Sequence, residues 1–279
     1  MVLKFHKFHG SGNDFILLNN MHGSIDYSGN NGSDMIKGLC NRRFGIGADG
    51  LILLEASDSH DFRMVYFNAD GNEGSFCGNG SRCAVIFARM QGIIKGATAH
   101  FTAADGTHKA KILQKTATGF MVCVEMKDTA HPEKMEDSVY YIDTGSPHLV
   151  IFRENVSMID VAGEGSAIRH HAKWMPGGIN VNFAESDEDG GIRIRTFERG
   201  VENETLSCGT GVTATALATW VHFRGNAGEQ VYSIQTAGGI LQVRFVPPVE
   251  GASPARFTSV YLEGPAEQVF EGTIKLQQP

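Results

Sequence analysis

Most apolar residues of the chain occur in short runs that are either continuous or alternate with polar residues, and both patterns are typical of β-strands. These runs are residues 15–18, 51–54, 62–67, 109–113, 120–124, 139–142, 149–152, 179–183, 192–197, 231–234, 240–246 and 260–262. Helical spacing is confined to residues 33–42, 81–91 and 209–223, and Ser33 or Asp34 is placed to cap the first of these helices. The pattern predicts an α/β (α+β) protein that is mainly sheet.

Four sequence landmarks occur twice, in the same order and at a nearly constant separation. The box Cys-Gly-Asn-Gly at residues 77–80 returns 131 residues later as Cys-Gly-Thr-Gly at residues 208–211. The other landmarks, separated by 130 to 135 residues, are 62–67 with 192–197, 10–13 with 145–148, and 102–103 with 236–237. The ordered set implies a duplicated unit of about half the chain.

We therefore expect two similar, pseudo-symmetric halves, each a curved and mostly antiparallel sheet wrapped around a central helix, with the active site in the cleft between them. The helix after residue 208 is rich in alanine, and such small side chains allow a sheet to close tightly around it. The charged stretch 127–137 is predicted to cross between the halves, and Gly264-Pro265 marks a second break. The expected domains are residues 1–127 with 264–279, and residues 128–263.

Composition excludes some classes of function. The 279 residues include 24 Lys and Arg against 31 Asp and Glu, a net charge of −7, which gives no electrostatic footprint for nucleic acid or an anionic membrane. Residues 1–20 lack a signal-peptide core, and no apolar run has the length of a membrane-spanning helix. Five cysteines, an odd number, favour reduced thiols over a disulfide framework. We expect a cytoplasmic protein.

The two boxes are the strongest candidates for chemistry. A lone cysteine before Gly-x-Gly often only caps a helix, but the duplication favours function for both. At a helix start, the N–H groups and the positive end of the helix dipole lower the pKa of a thiol and bind a carboxylate. Inversion at an amino-acid α-carbon needs a base on one face and an acid on the other. The candidates are the thiols of Cys77 and Cys208, with the N–H groups of Gly78, Asn79, Gly209 and Thr210 for the carboxylate.

Other polar residues lie at strand ends or in turns, where each alone is more often structural. Together they suit a zwitterionic substrate, with Arg199 for a carboxylate and with Glu198 and asparagines for an ammonium group. The set is Asn13, Asn68, His148, Asn180, Glu198 and Arg199. Neither a phosphate-binding loop nor a metal-ligand spacing is present, so no cofactor and no metal are expected. Buried positions are expected for Cys40, Cys83 and Cys123, whereas Arg82 and Arg195 have no assigned role.

Several longer motifs resemble the signatures of the diaminopimelate epimerase family. They are residues 8–15 (FHGSGNDF), 43–49 (RFGIGAD), 68–71 (NADG) before the first box, and 198–200 (ERG) with 204–205 (ET) before the second box. The resemblance spans nearly the whole chain. Gly50 and Ser146 are departures, since many members carry Gln and Asn at these positions.

The resemblance implies a cofactor-independent epimerase that converts LL-diaminopimelate to meso-diaminopimelate in lysine and peptidoglycan precursor biosynthesis. It implies that Cys77 and Cys208 are the acid/base pair and that His148 and Glu198 lie beside the reacting groups. The implied substrate ligands are Asn13, Asn68, Gly78, Asn79, Asn180, Glu198, Arg199, Gly209 and Thr210. The expected partners are a small diamino dicarboxylic acid and a second copy of the chain in a homodimer.

Two alternatives remain open. Epimerases or racemases for proline, hydroxyproline or histidine resemble this chain in their paired cysteines, although Arg199 and the asparagines favour a substrate with a second amino-acid head. A non-catalytic amino-acid-binding protein could use the same helix starts without needing either thiol. The presence of both cysteines argues against that second alternative.

Overall fold

The structure is a computed structural model that describes residues 2–74, 76–186, 191–249, 251 and 253–276. Contacts within the chain define two compact units, Met1–Val124 with Gly264–Pro279 and Glu125–Glu263. The last boundary between the units falls inside a single strand, Arg256–Lys275, which therefore contributes residues to both units.

The first unit alternates strands with two α-helices. Its described elements are β1 (Val2–Gly10), β2 (Asn13–Asn20), α1 (Gly29–Cys40), β3 (Gly50–Glu55), β4 (Phe62–Asn68), α2 (Gly78–Met90), β5 (Thr98–Ala103), β6 (Gly106–Lys115) and β7 (Phe120–Glu125). The pairs β2–β3 and β4–β5 are parallel. The pairs β1–β2, β3–β4, β5–β6 and β6–β7 are antiparallel. The last strand of the chain also runs antiparallel to β1, with Val2 opposite Lys275.

The second unit likewise combines strands with two α-helices. Its described elements are β8 (Thr129–Ala130), β9 (Glu133–Glu136), β10 (Val139–Asp143), β11 (Pro147–Phe152), α3 (Val161–Arg169), β12 (Asn180–Ser186), β13 (Ile192–Glu198), β14 (Asn203–Thr205), α4 (Gly209–His222), β15 (Gln230–Thr236), β16 (Gly239–Val246) and β17 (Arg256–Lys275). Two short 3-10 turns, Val156–Met158 and Ala172–Trp174, flank α3.

The strand pairing of the second unit repeats that of the first. The pair β10–β11 is antiparallel, β11–β12 parallel, β12–β13 antiparallel and β13–β15 parallel, and the pairs β15–β16 and β16–β17 are antiparallel. The first unit has the same succession from β1 to β7. The predicted α+β class with two similar, mostly antiparallel halves is confirmed.

Each sheet wraps around one helix. In the first unit α2 contacts β1, β2, β3, β4 and β6, and its residues from Gly78 to Ala88 are buried. In the second unit α4 contacts β10, β11, β12, β13, β15 and β16. The side chains of α4 from Val212 to Thr219 are buried and mostly small, which lets the surrounding strands approach the helix closely.

Two helices begin earlier than the sequence predicts. The first, α1, starts at Gly29 with Ser28 as its N-cap, so Ser33 and Asp34 are not the cap. Residues 29–32 are Gly and Asn, which have low helix propensity and hide the first turn, while burial of Ile36 and Leu39 stabilises the helix. Similarly, α2 starts at Gly78, immediately after Cys77, and not at residue 81.

Two predicted breaks are strands in the structure. The stretch 127–137 forms β8 and β9 of the second unit, because β8 pairs with β17 and β9 pairs with β10. Gly264-Pro265 lies within β17, which continues through both residues. Proline has no N–H to donate, but the Pro265 carbonyl accepts a hydrogen bond from Arg82 Nε at 3.2 Å.

Candidate active site

A cysteine forms the N-cap of each central helix with almost the same backbone geometry. The backbone of Cys77 has φ −117° and ψ 110°, and that of Cys208 has φ −118° and ψ 110°. Cys77 Sγ accepts a hydrogen bond from the Gly80 N–H at 3.4 Å. The first N–H groups of an α-helix have no acceptor within the helix, so each thiol lies next to donors suited to a carboxylate.

The second glycine of the box lets α4 approach strand β12. A Cβ atom at Gly211 would lie 2.4 Å from Asn182 Oδ1 and 3.4 Å from Cys208 Sγ. The first of these distances is shorter than any real Cβ contact, so only glycine fits here. The close approach places the helix start, with its thiol, directly against the buried strand.

In the first unit the structure brings together Asn13, Cys77 and Asn79. Asn13 begins β2, and its Nδ2 donates to Asp49 Oδ2 at 2.8 Å. A carboxylate can only accept, so this bond fixes Asn13 Oδ1 as the atom that faces the helix start. Oδ1 lies 3.4 Å from Asn79 Nδ2 and 3.8 Å from Cys77 Sγ. The predicted residues Asn13, Cys77 and Asn79 therefore form one cluster.

In the second unit a chain of hydrogen bonds leads to Cys208. His148 is fully buried, and its Nδ1 lies 3.1 Å from Asn182 Nδ2, which also donates to the Leu149 carbonyl. That nitrogen is thus a donor, so Nδ1 of His148 accepts and its Nε2 carries the proton. His148 Nε2 lies 2.9 Å from Thr210 Oγ1, which is 3.5 Å from Cys208 Sγ.

The imidazole of His148 is neutral. Complete burial, with a smaller contribution from the positive charge of Arg199, lowers the pKa of His148 to about 3. A neutral ring with its proton on Nε2 donates a hydrogen bond to Thr210 at any physiological pH. Its contact with the thiol runs through the Thr210 hydroxyl.

A second cluster in this unit joins Asn180, Arg199 and Ser146. Asn180 Oδ1 accepts from the Arg199 backbone N–H at 2.8 Å, and Asn180 Nδ2 donates to Ser146 Oγ at 2.8 Å. The Arg199 guanidinium donates to Ser146 Oγ at 3.3 Å and to the Gly177 carbonyl at 3.1 Å. Ser146 therefore holds two of the predicted substrate ligands in place.

The remaining predicted residues lie at strand ends. Glu198 is the last residue of β13 and lies opposite Asn203 of β14. Asn68 is the exposed last residue of β4, and its Oδ1 accepts from the Tyr66 hydroxyl at 3.0 Å. The helix-start residues Gly78 and Gly209 are buried as the first residues of α2 and α4.

Comparison with known proteins settles the family. The family model for diaminopimelate epimerase matches residues 5–131 and 140–262. A diaminopimelate epimerase of Flavobacterium psychrophilum is 43% identical over 272 residues, which cover 98% of this chain and 100% of the relative. The chain belongs to the diaminopimelate epimerase family. Another family member, from Chlorobaculum tepidum, is 40% identical over 270 residues, covering 96% of this chain and 99% of the relative.

The fold of this family member also occurs in solved structures of low sequence identity. A hydroxyproline epimerase from Agrobacterium vitis matches with a TM-score of 0.74 at 14% identity, covering 100% of this chain and 94% of that one. A phenazine biosynthesis protein of the PhzF family from Bacillus anthracis matches with a TM-score of 0.74 at 15% identity, covering 99% and 100%. At such identities the similarity concerns the fold alone.

The structure explains how this member of the diaminopimelate epimerase family accommodates Gly50. A Cβ atom at Gly50 would lie 2.5 Å from Tyr66 Cε2 and 2.6 Å from the Phe67 carbonyl oxygen. The Tyr66 ring thus fills the space of a side chain at position 50. Gly50 lies opposite Asn68 in the β3–β4 pair, and the Tyr66 hydroxyl bonds the Asn68 amide.

Sequence reasoning missed several residues of these clusters. Asn182 and Thr196 are buried polar residues on neighbouring strands, and Thr196 Oγ1 donates to Asn182 Oδ1 at 3.0 Å. The signal was two asparagines, 180 and 182, in an otherwise apolar run. Arg195, which had no role, forms a bidentate pair with Glu204 at 2.7 Å and donates to backbone carbonyls, so it is structural.

Other expectations concern cysteines, metals and membranes. Cys40, Cys83 and Cys123 are buried as predicted, and none of the five cysteines, all in the described part of the chain, forms a disulfide. Among the described residues, no group of three or more His, Cys, Asp or Glu side chains is arranged to hold a metal ion. Within the same ranges, every helix is too short or too polar to span a membrane.

Proposed function

We propose that this protein catalyses the cofactor-independent epimerisation of LL-diaminopimelate to meso-diaminopimelate, a step in the synthesis of lysine and of peptidoglycan precursors. One observation carries the proposal. In a member of this family, a cysteine caps each of the two matched helices, α2 and α4, with the same backbone dihedral angles. Two equivalent thiols at two helix starts are the groups that a two-base inversion requires.

The reaction needs two proton transfers and no other reagent. One thiolate removes the proton from the substrate α-carbon, and the electron pair of the broken C–H bond passes into the adjacent carboxylate. The other thiol delivers its proton to the opposite face of the carbon, which inverts the centre. One cysteine ends as a thiol and the other as a thiolate, so the two have exchanged protonation states. N–H groups at the starts of α2 and α4 stabilise the charge on the carboxylate.

The clusters around each thiol are proposed to hold the reacting centre. In the first unit Asn13 and Asn79 present amide groups next to Cys77. In the second unit the neutral His148 orients the Thr210 hydroxyl next to Cys208. Glu198 is proposed to bind the ammonium group of the reacting centre.

The distal amino-acid head of the substrate is proposed to bind Arg199, Asn180 and Asn68. The Arg199 guanidinium is only half-buried and suits a bidentate contact with the distal carboxylate. Its hydrogen bond to Ser146 and its backbone bond to Asn180 restrict the side chain before substrate arrives. Such restriction reduces the entropy that binding costs.

Incubation with LL-diaminopimelate in D₂O tests the proposal. The expected product is meso-diaminopimelate with one deuterium at the inverted α-carbon, formed without added pyridoxal phosphate or metal. Cys77→Ala and Cys208→Ala are expected to lose turnover while substrate still raises Tm. Faster inversion of proline or hydroxyproline than of diaminopimelate would replace this substrate with another amino acid. Binding without any exchange of the α-proton would indicate a non-catalytic binding protein.

We also propose that the protein works in the cytoplasm as a homodimer. The absence of disulfides among five cysteines in the described ranges suits a reducing compartment. Val269 and Phe270 of β17, beside the register shift opposite Lys7 and Phe8, both expose apolar side chains, a surface that a second copy would cover. Light scattering of purified protein tests this, and a mass of 30.2 kDa, that of a single chain, would contradict it.

A further inference from the structure

Arg82 is a buried cation that the proposed reaction does not use. It lies in α2, one turn after Cys77, and its side chain is fully buried. The guanidinium folds back toward the helix start, where NH2 donates to Asn79 Oδ1 at 2.8 Å and NH1 donates to the Gly78 carbonyl at 3.3 Å. It also donates to Ser11 Oγ at 3.3 Å and to the Pro265 carbonyl at 3.2 Å. All of these acceptors are neutral.

Among the residues that the structure describes, the charge of Arg82 has no carboxylate partner. In the described part of the chain Arg82 forms no ion pair, although other charged groups around α2 do. On the strands packed against α2 the pairs are Lys4–Glu271, His6–Glu271, Lys7–Asp14, His9–Glu267, Arg63–Glu55 and His108–Asp105, and Asp14 and Asp49 also pair with Arg42. The lysines of β6 are exposed.

Burying an uncompensated cation is costly. Complete burial lowers the pKa of Arg82 to about 10, which still leaves the group protonated at neutral pH. A negative charge on the thiol of Cys83 or of Cys77 would stabilise the Arg82 cation. Burial raises the pKa of Cys83 far above its usual range, so that thiol stays neutral. Cys77, which is only half-buried, is the remaining candidate for the anion.

Comparison with the second unit separates the hydrogen bonding of Arg82 from its positive charge. The offset of 131 residues between the boxes places Thr213 at the position equivalent to Arg82. The Thr213 hydroxyl donates to the Gly209 carbonyl at 3.0 Å, as Arg82 NH1 donates to Gly78. A neutral hydroxyl therefore suffices for this bond at the helix start, and the charge is an addition of the first unit.

The groups around Cys208 carry less buried charge. The imidazole next to Thr210 is neutral, and His222 at the far end of α4 bonds Tyr140. Arg199 is only half-buried, so solvent screens its charge more than it screens that of Arg82. One contact opposes ionisation of Cys77. Its thiol donates to Asn13 Oδ1 at 3.8 Å, which favours the protonated form. That contact is long and neutral, so the buried charge of Arg82 outweighs it.

We propose that Arg82 is a positioning residue whose buried positive charge makes Cys77, and not Cys208, the thiol that is ionised before substrate binds. The inference rests on the proposed two-thiol function and adds to it which of the two thiols is ionised before substrate binds. Cys77 is the resting base and Cys208 the resting acid. The isomer whose α-proton faces Cys77 then reacts without a prior exchange of protons between the cysteines.

Thiolate absorbance near 240 nm, followed against pH, tests the order with Arg82 intact. Full-length Cys208→Ala retains Cys77, Cys77→Ala retains Cys208, and the double variant supplies the background of the other cysteines. We expect Cys77 to ionise at a pH at least one unit below that of Cys208, a tenfold difference in the acid constant. Equal midpoints, or a lower midpoint for Cys208, would overturn the proposal.

Substitution of Arg82 in the Cys208→Ala background tests the cause. Arg82→Met is expected to raise the midpoint of Cys77 by one unit or more, and Arg82→Lys, which keeps the charge, by less than Arg82→Met. Thr213→Val is the matched control, because it removes the equivalent bond in α4 and should leave the midpoint of Cys77 unchanged. A lower Tm of Arg82→Met with no change in the midpoint would show a purely structural role.

The outcomes separate this inference from the proposed function. If Arg82→Met does not fold, as judged by circular dichroism, the comparison of Cys208→Ala with Cys77→Ala still decides the order. If the chain inverts no diaminopimelate but Cys77 ionises first, the proposed function fails and the role of Arg82 stands. If inversion occurs and the order is reversed, only the role of Arg82 fails.

Discussion

At the scale of single residues, Tyr66 takes the space that a side chain at position 50 would need, and its hydroxyl also contacts Asn68. The sequence shows the glycine but not this compensation, because Tyr66 is sixteen positions away along the chain and becomes its neighbour only through the β3–β4 pairing. The amide of Asn68 is thus held without a glutamine at position 50.

Tyr66→Phe removes that hydroxyl and keeps the ring. We expect kcat/KM for diaminopimelate to fall by about 2- to 10-fold, because a neutral hydrogen bond contributes about 0.5–1.5 kcal/mol. Steady-state kinetics measure the effect. Tyr141→Phe is the control, since the Tyr141 ring stacks on Trp174 in another cluster and its loss of a hydroxyl should leave kcat/KM unchanged. No change in Tyr66→Phe would mean that Asn68 needs no support.

The buried neutral His148 makes stability depend on pH. Its pKa is lowered to about 3 in the folded protein and is about 6.5 in the unfolded chain. Between these values the unfolded chain binds a proton that the folded protein does not, so the free energy of unfolding falls as the pH falls through this window. The slope attributable to His148 is up to about 1.4 kcal/mol per pH unit.

Urea unfolding between pH 7 and pH 4 measures this slope. His148→Gln is expected to be less stable at pH 7, because it loses a buried donor, but to lose stability less steeply as the pH falls. His22→Gln, which removes an exposed histidine, is the control for the loss of an imidazole. Parallel curves for wild type and His148→Gln would refute the assignment.

At the scale of elements, the start of α4 depends on its contact with β12. Gly211→Ala would place a methyl group 2.4 Å from Asn182 Oδ1 and push apart the helix start and the strand. We expect a loss of about 1–3 kcal/mol in the free energy of unfolding, as for other overpacked sites, and a fall in kcat because Cys208 moves with the helix. Chemical unfolding and kinetics together check this.

Gly38→Ala in α1 is the matched control for Gly211→Ala. No atom lies within 4 Å of a Cβ at Gly38, and alanine favours a helix over glycine by about 0.5–1 kcal/mol. The control is therefore expected to be stabilising. Equal stability of the two variants would show that the contact with β12 is not tight.

Elements with strong local patterns were predictable, and those defined by tertiary contacts were not. The start of α4 agrees with the sequence, because helical spacing begins at Gly209 and alanines recur from Ala214 onward. The start of α1 does not, because its Gly and Asn residues are poor helix formers that packing overrides. The predicted site residues of the first cluster, Asn13 and Asn79, do meet at Cys77. Asn182 was missed because periodicity shows which face is buried, not which polar group is satisfied there.

At the scale of the whole molecule, the two units share one strand order but surround their thiols with different side chains. The duplication was visible in the sequence because four landmarks kept their separation. What the offset did not show is that equivalent positions have diverged. Asn13 and Arg82 of the first unit correspond to His148 and Thr213 of the second, so the two thiols have different neighbours. If Arg82 has the role proposed above, this divergence gives the two thiols unequal roles in the reaction.

The long strand β17 makes the first unit discontinuous in sequence, since it supplies the partner of β1 from the other end of the chain. A fragment cut at Val124 would leave β1 with an unpaired edge, which favours aggregation. Val2 lies opposite Lys275, so a short linker can join residue 276 to residue 2. A circularly permuted fragment, residues 264–276, linker and 2–124, is expected to unfold cooperatively in urea where residues 2–124 alone do not. We therefore expect the first unit to fold alone after permutation, and not after a simple cut at Val124.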